Sequence, residues 1–76
     1  MHAYSATVSL ELQIHGRSIS CARSGPGYCG LTEPAEIPPG DGTLLMTVDG
    51  RESRWEVRVP KHVSGDRVDF FVLKGP

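Results

Sequence analysis

The chain has little of what usually announces chemistry. Its 76 residues include two cysteines, three histidines and one tryptophan, and aromatic side chains make up 7%. Cys21 and Cys29 have seven residues between them. That spacing excludes the C-x-x-C of thioredoxin-type redox motifs and does not match one half of a zinc site. His2, His15 and His62 are far apart in the chain, so the paired spacing of a metal site is missing as well. No metal or cofactor is expected.

Charge of one sign is also missing. Lys and Arg number 8 and Asp and Glu 9, for a net charge of −1. This balance excludes a general electrostatic grip on nucleic acid or anionic lipid. No apolar run approaches the roughly 18 residues that cross a bilayer as a helix. The opening "MHAYSATVSLELQIHG" lacks a basic leader, and its apolar residues alternate rather than run together, unlike a signal peptide. The expectation is one untargeted cytoplasmic domain over residues 1–76, with its cysteines reduced.

What the sequence does have is period two. In "ATVSLELQI" the apolar residues Ala6, Val8, Leu10, Leu12 and Ile14 alternate with Thr7, Ser9, Glu11 and Gln13. Successive strand side chains point to opposite faces, so this segment is a strand with one buried face. His15-Gly16 supplies a two-residue hairpin turn. That loop sets Leu12 against Ile19 and Leu10 against Cys21, and it turns Ile19 and Cys21 of "RSISCAR" toward the core.

Gly25-Pro26-Gly27 turns the chain into a short strand, "YCGLT", with Cys29 and Leu31 on one face. "EPAEIPPGDG" reads as an irregular link, since Pro38-Pro39 cannot donate to a ladder. "TLLMTVDGRESRWEVRV" reads as a second hairpin with Leu44, Met46 and Val48 facing Trp55, Val57 and Val59. Its loop is either Asp49-Gly50 alone or the four residues 49–52. The longer loop is preferred because it sets Met46 against Trp55 and Leu44 against Val57. "PKHVSGDR" reads as a loop with Gly65-Asp66 at its tip, and "RVDFFVL" as the last strand.

About six strands and no helix-length periodic segment predict a small antiparallel β-sandwich or a partly open β-barrel. The stretch "SGPGYCGLTEPAEIPPGDGTLLMTVDGRESRWEVRVP", with its Gly-Pro turn, Pro-Pro-Gly link and Val-Asp-Gly hairpin bearing a Trp, resembles small bacterial all-β proteins. The resemblance implies an all-β bacterial domain. It brings no activity and no catalytic residues.

Three sets of residues are candidates for function. Leu45, Phe71 and Leu73 fall on the face opposite the main apolar set, and a contiguous patch there would be a protein contact or a self-association surface. Arg51, Arg54, Arg58 and Lys61 lie in or beside the Trp-bearing strand. They are the candidates for single-stranded nucleic acid, although Glu52 and Glu56 interrupt them and Trp55 belongs to the core-facing set. Cys21 and Cys29 are the candidates for thiol chemistry, read first as small core side chains. There is no G-x-S-x-G context, and neither "GPGYCG" nor "GDG" leads into a helix or a Gly-Lys-Ser/Thr. The expected function is therefore that of a non-catalytic interaction domain.

Overall fold

A computed structural model describes residues 8–76. Ala6 and Thr7, expected in the first strand, and His2 lie outside the described residues. Seven strands follow one another: β1 (Val8–Ile14), β2 (Arg17–Gly25), β3 (Tyr28–Ile37), β4 (Gly40–Val48), β5 (Arg51–Val59), β6 (Val63–Asp69) and β7 (Phe71–Lys74). They form one antiparallel sheet in the order β6-β3-β2-β1-β4-β5-β7. The strands at its two ends, β6 and β7, are consecutive in the chain. Only a sheet that curls back on itself can bring its two ends that close, and the result is a half-barrel.

The first hairpin has the expected register, Leu12 opposite Ile19 and Leu10 opposite Cys21. His15 and Gly16 both take positive φ, 53° and 70°, as the tight turn that matches strand twist requires. The second hairpin differs from expectation. Its loop is Asp49-Gly50 alone, with φ of 51° and 84°, so Leu44 faces Trp55 and Met46 faces Ser53. The same turn chemistry outweighs the side-chain pairing that favoured a four-residue loop.

Two segments read as loops are strand. β3 runs on through Glu33 to Ile37, and only Pro38-Pro39 separates it from β4. Its pairing with β6 breaks between Gly30 and Ala35, across Pro34, which has no amide to donate. β6 begins already at Val63, and Gly65 absorbs its irregularity at a φ of 136°. The expected last strand is two strands. At Phe70 the chain leaves β3 and crosses to β5, and the Phe70 amide donates to Gly27 O at 2.9 Å.

The concave face holds the core. Leu12, Cys29, Ile37, Val57 and Val68 are fully buried, and Ile14, Leu31, Leu44, Val59 and Phe70 are nearly so. Leu10, Ile19, Ala35 and Trp55 pack against them from the margin. Among the described residues no buried polar side-chain atom lacks a partner.

Side chains from the first turn tie down the proline link. His15 Nε2 donates to Pro38 O at 2.9 Å, and Arg17 donates to Glu36 O at 2.8 Å. Glu36 is itself held from β6. Ser64 donates to one carboxylate oxygen at 2.6 Å, and His62 Nε2 lies 2.7 Å from the other. The Ser64 hydroxyl, then the His62 ring, hold the Glu36 carboxyl below its ordinary value. A carboxylate depressed in this way stabilises the fold above the unfolded-state pKa, and that contribution disappears as pH falls through the folded-state value. We expect a carbon-detected NMR titration to place Glu36 below the ordinary ~4.3 of a glutamate. Ser64→Ala should return it toward that value. An unchanged titration in the variant would show that the hydroxyl does not hold it. Glu36 is exposed, so solvent screening keeps the effect on stability small.

Candidate functional site

The structure separates the three predicted candidates for a contact surface. Leu45 is buried, 7% exposed, and so drops out of any exposed patch. It points away from the core, but β4 is an inner strand, and its register neighbours are Glu11 on β1 and Arg54 on β5. Long side chains on both flanks cover a leucine with their methylenes. Phe71 and Leu73 are exposed, at 64% and 49%, and Val72 between them at 52%. All three lie on β7, which pairs with β5 on one side and stands at the end of the sheet.

The two sheet ends are built differently. β6 carries Ser64, Asp66, Arg67 and Asp69 as exposed residues, the usual protection of an edge by charge. β7 presents three apolar side chains in succession and only Lys74 as a charge. Opposite β5 it steps over a bulge, with Val57 facing Val72 and Glu56 facing Lys74. Opposite the buried Val57, Val72 turns to the concave side, toward an apolar cavity of about 180 Å³ lined by Pro26, Leu44, Met46, Trp55, Phe70 and Val72. The Gly25-Pro26-Gly27 turn forms one wall, and the two half-buried side chains Met46 and Trp55 form another.

Sequence reasoning missed this cavity. Alternation sets Trp55 with Val57 and Val59, and Phe70 and Val72 with Val68, on the core face. The alternation does not show that the strand breaks at Phe70 and leaves Val72 at a rim. The doubled phenylalanine was the available signal, since a strand cannot bury both Phe70 and Phe71 on one face.

The basic set is divided. Arg58 binds Asp41 with two nitrogens, at 2.7 and 3.3 Å, and Arg54 lies 3.5 Å from Glu52. The Arg58 hydrogen bond holds the Asp41 carboxyl below its ordinary value, and Asp41 raises Arg58. Arg51 opens β5, and Lys61 lies beyond its other end. The four cations therefore form no continuous basic track. Arg67 donates to Asp69 at 3.2 Å and also stacks 4.4 Å over the Tyr28 ring.

The cysteines are both buried and both thiols, with sulfurs 3.7 Å apart. Of the histidines within the described residues, His15 holds the proline link and His62 holds Glu36. Among the described residues no group of three His, Cys, Asp or Glu side chains gathers as a metal site would require. The Ser64, Glu36 and His62 cluster is not a nucleophile relay either. Its carboxylate sits between the serine and the histidine, so the serine proton is directed to Glu36 rather than to the imidazole. No helix among the described residues is long and apolar enough to cross a membrane.

No protein-family model matches the chain, and no curated protein or solved structure was found to be similar to it.

Proposed function

We propose that the chain is a non-catalytic interaction domain that takes up an extended segment of a partner polypeptide along β7. The observation that supports this reading is the contrast between the two sheet ends, one charged and one apolar. An edge strand presents unpaired N–H and C=O groups, and an added strand satisfies them. The side chains of such a strand alternate between faces. One that points to the concave side would enter the cavity beside Val72. At about 180 Å³ the cavity is smaller than the roughly 300–1,000 Å³ of small-molecule sites, and suits a single apolar side chain instead. The segment it fits is uncharged at its centre, with apolar residues at every second position.

Selection of short random peptides against the folded protein tests the reading. We expect enrichment of alternating apolar sequences, and their loss when the target is Val72→Lys with its circular dichroism unchanged. Equal retention by the variant would remove β7 from the proposal. A dimer in light scattering, abolished by the same substitution, would make the occupant a second copy of the chain.

A second reading has one observation behind it. Phe71 stands opposite Arg58 on the convex face, an exposed ring beside a cation. Single-stranded nucleic acid uses that combination, and its binding falls steeply with salt. The pairing of Arg58 with Asp41 and of Arg54 with Glu52 weighs against it. Strong retention of single-stranded oligonucleotides at low salt, lost at high salt, would reverse the order of the two readings.

A further inference from the structure

Cys21 and Cys29 meet because of an irregularity in the β2–β3 hairpin. From the turn, the pairing runs Gly25 opposite Tyr28, Ser24 opposite Cys29 and Arg23 opposite Gly30. Continued without a break it would set Ala22 opposite Leu31 and turn Cys21 to the convex face. Instead the register shifts, and Cys21 stands opposite Leu31. One extra residue in a strand has this effect, since each step along a strand reverses the side-chain direction. The bulge carries Cys21 to the concave side, where its sulfur lies 3.7 Å from that of Cys29. They are the only two cysteines in the chain.

We propose that Cys21 and Cys29 form an oxidisable dithiol, which a hydroperoxide converts into an intramolecular disulfide across the β2–β3 hairpin. The two thiols are unequal in a way that assigns their roles. Cys21 keeps 7% of its surface exposed and Cys29 none. Cys21 is therefore the sulfur that meets the oxidant, and Cys29 the one that resolves it. The contact also acts on protonation. The Cys29 thiol lowers the Cys21 value by stabilising its thiolate, against the opposing effect of burial. Cys29 itself is pushed up by the same contact and by burial.

The step balances as follows. The Cys21 thiolate attacks one oxygen of hydrogen peroxide, the O–O bond breaks, and hydroxide leaves, taking up the proton that Cys21 released. Cys21 is then a sulfenic acid. The Cys29 sulfur attacks it, the S–S bond forms, and the sulfenic oxygen departs as water with the Cys29 proton. Two thiols have lost two electrons and two protons, and one peroxide has become two waters. A bond length of about 2.05 Å is reached from the thiol contact by rotation of the side chains and a small approach of the strands.

The test uses the native chain. It is treated with hydrogen peroxide at concentrations that oxidise free glutathione, then quenched and alkylated under denaturing conditions. The expected product is a monomer lighter by two hydrogens, with no alkylated thiol and with its far-ultraviolet circular dichroism retained. Dithiothreitol should restore both thiols. The oxidised form should unfold at a higher urea concentration than the reduced form. Cys29→Ser should stop at a sulfenic acid on Cys21 that a dimedone probe captures. Two thiols still alkylated in the treated native protein would overturn the proposal, and so would a bridge found only between two chains or only after unfolding. The readout is independent of whether any peptide binds β7.

Discussion

Gly42→Ala should cost the fold about 2–3 kcal/mol, the upper part of the range for overpacking a well-packed site. Gly42 lies on β4 between Ile14 of β1 and Val57 of β5, in the line of core-facing positions. A Cβ built there would stand 2.6 Å from the Gln13 carbonyl oxygen and 3.0 Å from the Ile14 Cβ. The first of these is backbone, so no rotamer change relieves it, and β1 and β4 would have to separate. A strand glycine permits such a close approach of neighbouring backbone. A domain of this size has a total stability of roughly 3–5 kcal/mol. The single methyl group should therefore remove about half of that stability or more, read as a urea midpoint lowered in the same proportion. Gly40→Ala is the control. Its Cβ would meet the His15 ring, 2.8 Å from Cε1, and a ring on an exposed turn can swing aside. The cost there is the His15 bond to Pro38, about 1 kcal/mol. Equal losses in the two variants would show that the contact with Gln13 is relieved more easily than this geometry implies.

The parts of the fold that were legible in sequence are those set by local chemistry. Leu12 opposite Ile19 follows from alternation and from the two-residue turn at His15-Gly16, which act over a few residues. The errors occur where a distant partner decides. The Pro38-Pro39 pair suggested a long irregular link, yet β3 continues to Ile37 because β6 pairs with it there, and Glu36 accepts bonds from Ser64, His62 and Arg17. Leu45 reads as an exposed apolar residue until β1 and β5 are known to flank it. Alternation sets Cys21 with Ile19 and Cys29 with Leu31, and both cysteines are buried in the core. What the pattern could not show is that a bulge at Ala22 is needed to put them there, since the need arises from two hairpin registers that share β2. The candidate site was half visible for the same reason. Exposed residues at Phe71 and Leu73 follow from face assignment, but the cavity depends on the Gly25-Pro26-Gly27 turn lying against a strand that follows it by more than forty residues.

The adjacent phenylalanines offer the sharpest test of how the sheet closes, because they are chemically identical and differ only in which way the chain turns them. Phe70 is 6% exposed, belongs to the core and lines the cavity, and its amide holds the Gly27 carbonyl at the crossing from β3 to β5. Phe70→Ala should lose about 3–5 kcal/mol, as truncation of a buried phenylalanine does. That equals the roughly 3–5 kcal/mol available to a domain of this size, so the variant should be largely unfolded in water at 25 °C. Phe71, 64% exposed on the convex face, should tolerate the same change within about 0.5 kcal/mol. Urea denaturation followed by circular dichroism reads both, and hydrogen exchange adds the location. If Phe70→Ala stays folded, its β7 amides should exchange first, because the crossing at residue 70 is what carries the chain from β3 onto β5. Matched stabilities for the two variants would mean that the core closes without Phe70. β7 would then be an appendage to a six-stranded sheet, and its apolar edge would lose the fixed backbone that strand addition requires. The stable Phe71→Ala protein serves the functional question directly. It keeps the cavity and the edge hydrogen-bonding groups while removing one exposed apolar contact, so weaker peptide capture by a fully folded variant would trace that contact to β7.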